Sequence, residues 1–178
     1  MVRVPPFHGE IMIITKSELI AALQDEVRIL LHLAGKVDPA QRDYRPTPKQ
    51  RSTFELLKYL SMMGPALVRA AKTGTFDTEA WKAAEAATNA RDFDATLAAI
   101  ASHKDEYATL LGDMTDDDFG AEVEPFGQKT TRGGFIVRWV LSGCAAYRTQ
   151  LFLYLKSCGA EELSTRNLWQ GMDNPDKA

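Results

Sequence analysis

Three histidines, two cysteines and the Tyr147-Arg148 step are the side chains of this 178-residue sequence whose chemistry could be put to use. Metal ligation within a helical bundle needs donors three or four residues apart, so that both lie on one face. His8, His32 and His103 have no Glu three residues before them, and neither His-x-x-x-His nor Cys-x-x-Cys occurs. Structural zinc is therefore not expected. His32 and His103 fall near apolar helix faces and read better as packing or hydrogen-bonding residues than as ligands. Cys144 has Arg148 one turn on, a cation that could lower its thiol pKa. The other reading, an inert core cysteine, is the commoner fate of a thiol on an apolar face. No Gly-x-Ser-x-Gly and no glycine-rich phosphate loop is present. The many carboxylates cluster at helix starts, where capping and the helix dipole account for them. Asp116-Asp117-Asp118 reads as a solvated turn.

The residues at Cys144 to Arg148 sit in the longest periodic stretch, Gly134 to Cys158. Its apolar residues Val137, Val140, Leu141, Cys144, Tyr147, Leu151, Leu155 and Cys158 recur every three or four positions, which predicts one amphipathic helix ending at Gly159. Three further helices are expected. The first runs from Lys16 to Ala34 behind the capping box Thr15-Lys16-Ser17-Glu18. The second opens at the box Ser52-Thr53-Phe54-Glu55 and should kink or break at Gly64-Pro65, because proline lacks an amide and crowds the preceding turn. The third starts near Asp94 as its cap. A short helix over Thr78 to Ala90 and a single turn after Thr115 complete the set, with a loop over Ala121 to Arg132 that has room for a short extended piece.

These elements predict an all-α protein, a four-helix bundle in one domain over residues 1–178. Residues 1–14 form an arm. Residues 160–178 form a tail whose Leu163, Leu168 and Trp169 are costly to leave in water and should pack on the bundle; Asp173 to Ala178 should fray. Helices 2 and 3 are joined by a long connection, which permits a parallel crossover. The net charge of −3, with no basic block, gives no expectation of nucleic acid. No apolar run approaches the length of a membrane span. Cys144 and Cys158 are fourteen residues apart on one helix, roughly 21 Å, beyond the reach of a disulfide. Free thiols on an apolar face suit a reducing compartment, so a cytoplasmic location is expected.

Two places in the sequence resemble the DinB/YfiT-like superfamily of metalloenzymes. One is Tyr44-Arg45-Pro46 followed by Arg51 to Leu60 (RSTFELLKYL), a layout of the type W/Y-R-P…E-L-L-x-H-L. The other is Tyr147-Arg148-Thr149-Gln150-Leu151 through Leu155 and Gly159, which is similar to H-R-G-Q-L…L-R-x-x-G. The resemblance implies an up-down-down-up bundle, commonly a homodimer, and a divalent metal held by one His on the second helix and a His-x-x-x-His pair on the fourth. Those positions fall on Tyr59, Gly143 and Tyr147. Gly143 has no side chain, and a neutral tyrosine is a poor ligand at pH 7. No cofactor is therefore expected, and the metal-dependent thiol transfer or isomerisation of the superfamily is not carried over.

A pocket remains as an expectation. Tyr59, Met63, Gly143, Cys144, Tyr147 and Arg148 should surround the place a metal would take. Two phenols and a guanidinium could bind a small polar or anionic ligand, with a tyrosine as acid/base and Arg148 as anion clamp. Alternatively the tyrosines fill the vacated volume and bond to each other or to Arg148. The functional expectation is a metal-free bundle with a binding or structural role as a homodimer. An enzyme or small-molecule binder using the degenerate pocket, and a helical adaptor acting through the Leu168-Trp169 tail, are the alternatives.

Overall fold

The computed structural model describes residues 14–175; most of the arm, including His8, lies outside them. Helix α1 (Lys16–Ala34) opens on the capping box read from the sequence: the Thr15 hydroxyl accepts from the Glu18 amide, and the Glu18 carboxylate accepts from the Thr15 amide at 2.8 Å. Helix α2 (Thr53–Thr73) opens in the same way on Ser52 and Glu55. Then come α3 (Thr78–Asn89), α4 (Phe93–Gly112) and the single turn α5 (Asp116–Gly120), which starts on the Thr115 box. The loop beyond holds a two-residue antiparallel hairpin, β1 (Glu122–Val123) with β2 (Thr130–Thr131). A continuous helical rod follows, made of α6 (Arg132–Phe135), a π-helical turn (Ile136–Leu141) and α7 (Ser142–Ser157). A short α8 (Thr165–Gln170) closes the chain.

Side-chain links fix the direction of each main helix. Lys16, at the start of α1, donates to the Gly112 and Met114 carbonyls at the end of α4, so these two run antiparallel. Ser61 meets His103, and Lys72 meets Leu110 and Asp113, so α2 runs parallel to α4. Glu26 meets Arg148, and Gln41 meets Cys158, so α1 and α7 are parallel. Tyr154 reaches back to Arg51 while Tyr147 lies on Tyr59, so α2 and α7 are antiparallel. The order is up-down-down-up, as expected, with α1 packed on α4 and α7, and α2 packed on the same two. The core they enclose is mainly aliphatic, from Leu23 and Leu33 on α1 to Leu57 and Val68 on α2 and Leu151 and Leu155 on α7.

Several local expectations need correction. The break expected at Gly64-Pro65 does not occur: helix α2 runs without interruption through it. Pro65 has no amide to give the Ser61 carbonyl, but that carbonyl accepts instead from His103 Nε2 at 3.1 Å and from Arg91 at 3.4 Å. The acceptor freed by the proline is satisfied from outside the helix. The cap of α4 is Asp92, whose carboxylate accepts the Ala95 amide at 2.8 Å; Asp94 sits in the first turn, where its charge still favours the helix dipole. The long fourth helix is not uniform. Its π turn closes i→i+5 bonds, which slips the register relative to a 3.6-residue repeat. Val137 is therefore 36% exposed, with Arg138 and Trp139 beside it in solvent, while Phe135, Ile136 and Val140 are buried. In the tail, Leu163 and Asn167 are buried and Leu168 is half-buried, but Trp169 is 67% exposed. Asp173 does not fray: Lys36 Nζ lies 2.8 Å from its carboxylate and Asn167 donates to it at 3.0 Å. Among the described residues, no helix is long and apolar enough to cross a membrane.

Candidate functional site

The π turn ends at Leu141, so Gly143 and Tyr147, the positions on which the resemblance places ligands, lie in regular α7. Gly143 faces α2: a Cβ placed on it would stand 3.6 Å from the Met63 sulfur. One turn on, the Tyr147 ring meets Tyr59 edge-to-face with centroids 5.2 Å apart. Tyr59, Met63, Gly143 and Tyr147 are therefore brought together between α2 and α7. Tyr59 is held on two more sides, by the Arg51 guanidinium 4.1 Å over its ring and by the edge of Trp81 at 6.1 Å. Burial and the Tyr147 phenol beside it push the Tyr59 phenol well above its ordinary pKa, so it is neutral at any physiological pH.

Cys144 and Arg148 turn toward a different set of partners. Arg148 is buried and its guanidinium is engaged by Glu26 of α1, with Nη2 donating to Oε1 at 3.1 Å and Nε 2.9 Å from Oε2. A further N–H donates to the Leu168 carbonyl of α8, and the Trp169 ring lies 5.6 Å away. Burial raises the Glu26 carboxyl, and Arg148 offsets only part of that rise. The Cys144 thiol is pushed up to about 12, first by burial and then by the Glu26 charge, with Tyr107 and Arg148 acting the other way. It is a thiol and not a thiolate, so the inert reading of Cys144 is the one the surroundings favour. Tyr107 reaches this centre because α2 carries Gly64 opposite it. A Cβ at position 64 would come within 1.9 Å of the Tyr107 hydroxyl oxygen.

The donor set between α2 and α7 does not fit a divalent metal. It offers two neutral phenols, a glycine and a thioether, none of which replaces an imidazole. Among the described residues, no group of three or more His, Cys, Asp or Glu side chains converges. His103 is occupied with the Ser61 carbonyl, and because that acceptor has no proton, Nε2 must carry one. His32 accepts from the Asn167 side chain at 3.1 Å, which ties the tail to α1. Burial lowers the pKa of both histidines.

No family model and no curated protein matches the chain. Among solved structures it is similar to a DinB-like protein, YjoA, from Bacillus subtilis, with 18% identity over 82% of this chain and 94% of that one, and a TM-score of 0.64. The fold is DinB-like. At that identity the likeness concerns the backbone alone, and the side chains between α2 and α7 have to be read from this chain itself.

Three residues around these two clusters escaped the sequence reading. Glu26 belongs to no motif; its position one turn from Leu23 and Leu30 on the buried side is the available signal. Tyr107 belongs to no motif either, although Gly64 on a face otherwise rich in large apolar residues hints at a close approach. Arg51 opens the stretch that carries the resemblance, but nothing there marks it as a partner of Tyr59. An aromatic chain also joins Tyr59 through Trp81, Phe76 and Phe126 to Trp139, spanning segments too far apart in sequence to be associated.

Proposed function

We propose that this DinB-like bundle works without the metal of its superfamily, in a binding or structural role, as a homodimer. The observation that carries the metal-free part is the Tyr59–Tyr147 pair with Gly143 beside Met63: the three aligned positions hold no competent ligand. Half-exposed Phe126 and Trp139, whose rings are 5.2 Å apart, and the more exposed Leu153 are apolar groups that a second copy would cover, which supports a dimer. Metal analysis of protein purified without chelators, together with sedimentation equilibrium, tests both parts. Expected are no stoichiometric metal and a two-chain mass. Stoichiometric zinc, nickel or iron would sink the first part, and a monomer at all concentrations the second.

A second reading, a small-molecule binder or enzyme acting through the pocket of Tyr59, Met63, Gly143 and Tyr147, is supported by the partial exposure of both tyrosines. Chemistry there would be limited. A phenol pushed above its ordinary pKa donates hydrogen bonds and is a poor base. Arg148 cannot clamp an anion without abandoning Glu26, a half-buried carboxylate that would then be unpaired.

A further inference from the structure

On the side of Tyr59 away from α7, a cleft of about 200 Å³ opens between α2 and α3. Its walls are Arg51 just before α2, Glu55, Lys58, Tyr59 and Met62 from α2, and Glu85, Thr88 and Asn89 from α3. We propose that this cleft binds a small zwitterion, an α-amino acid with an apolar side chain, whose carboxylate meets Arg51 and whose ammonium meets Glu85.

The argument begins with which charges are already committed. Glu55 accepts from the Ser52 amide and pairs with Arg45 at 3.1 Å. Lys58 donates to the Asn89 carbonyl at 2.8 Å and lies over the Phe54 ring. Among the described residues, neither the Arg51 nor the Glu85 side chain makes a hydrogen bond or an ion pair. One free cation and one free anion thus border the same concavity from different helices. Arg51 is also ordered in advance. Its guanidinium lies 4.1 Å over the Tyr59 ring, a contact that restrains it, and its N–H groups, which no protein acceptor takes up, can receive a carboxylate by two parallel bonds.

A second observation lies on the α3 wall. Thr88 is 2% exposed and its hydroxyl has no hydrogen-bond partner. A buried hydroxyl left unpaired is costly, and its place beside an open cleft is what a polar ligand or the water it orders would relieve. The remaining surface, Tyr59 and buried Met62, is apolar and suits a hydrocarbon or thioether side chain. The volume is below the range of roughly 300–1,000 Å³ for drug-sized ligands, so the occupant is small. Tyr59 is shared with the α2–α7 site, but Arg51 and Glu85, the groups that would hold the two charges, are not, so the proposal stands apart from the metal-free reading and the dimer.

The test is an amide NMR titration of the full chain with L-phenylalanine, L-methionine and L-leucine to about 10 mM, a range that detects millimolar affinity. Phenylacetate and phenethylamine, each lacking one charge, are the controls. Expected are saturable shifts at Arg51, Tyr59, Thr88 and Asn89 for at least one amino acid, with about tenfold weaker binding of both controls. Arg51→Met should remove the preference over phenethylamine, and Glu85→Gln the preference over phenylacetate. Both changes are at the surface, and an unchanged spectrum elsewhere confirms the fold. Absence of saturable shifts with all three amino acids overturns the proposal. So does equal affinity for a singly charged control, or binding that both variants leave intact. Metal analysis would be unmoved by any of these results, so the two proposals fail separately.

Discussion

Tyr147 and Arg148 are neighbours in sequence and belong to two polar clusters of opposite character. The first, Tyr147 with Tyr59 and Gly143, lies between α2 and α7, is half-open to solvent and contains only neutral groups. The second, Arg148 with Glu26, Tyr107 and Cys144, is in the bundle interior and holds a buried charge pair that also anchors the tail. The difference teaches that adjacent residues of one helix can serve opposite ends, aromatic packing at an open seam and charge pairing in the interior. Tyr59 and Tyr147 are packing that other side chains could replace. The adjoining ion pair has become structural, because either charge alone would be stranded in a low-dielectric interior.

If this contrast is right, the largest loss should come from Arg148→Met. It removes the partner of Glu26 and the donor to Leu168, and about 3–5 kcal/mol of stability should be lost in urea unfolding. A loss below about 1 kcal/mol would make the two clusters equivalent. Gly64→Ala comes next, at about 1–3 kcal/mol, because the new methyl collides with the Tyr107 hydroxyl. Tyr107→Phe in the same chain should recover part of that loss, and no recovery would place the clash elsewhere. Tyr147→Phe should cost about 1 kcal/mol or less, as it keeps the ring contact with Tyr59 and removes only a hydroxyl.

The smallest effect is one of pH. His103 is buried beside Ser61, with Arg91 and Arg69 opposing its charge and Glu106 favouring it, and its folded pKa is lowered. Its contribution to stability is therefore complete above the unfolded value of about 6.5 and is lost as pH falls below it. Chemical denaturation between pH 7.5 and 5 should register that decline. His103→Gln, which can still donate to Ser61, should flatten it, apart from a part due to His32, whose pKa is lowered as well. An unchanged slope in the variant would contradict the assignment.

Much of the fold was legible because it is written in local signals. Capping boxes at Thr15, Ser52 and Thr115 begin helices where read, and Gly159 ends α7 with φ +94°. Legibility failed where a remote partner decides. Pro65 did not interrupt α2, because His103 and Arg91 arrive from 30 to 42 residues away to take up the Ser61 carbonyl. The π turn moved Val137 into solvent, since a pattern of 3.6 residues cannot be extended across a wider turn. Of the site, the grouping of Tyr59, Met63, Gly143 and Tyr147 came from the resemblance. Arg148 faces elsewhere, because the residue next to Tyr147 on a helix points about 100° away, toward the Glu26 of a helix whose role no short motif announced.

The claim at the centre of this account is that the α2–α7 site no longer holds a metal. Isothermal titration of Zn²⁺ and Ni²⁺ into the full chain, beside the variant carrying Tyr59→His, Gly143→His and Tyr147→His, addresses it most directly. The account predicts no stoichiometric binding by the natural chain and one site per chain in the variant. Tight one-to-one binding by the natural chain, lost on Tyr59→Phe with Tyr147→Phe, would contradict it.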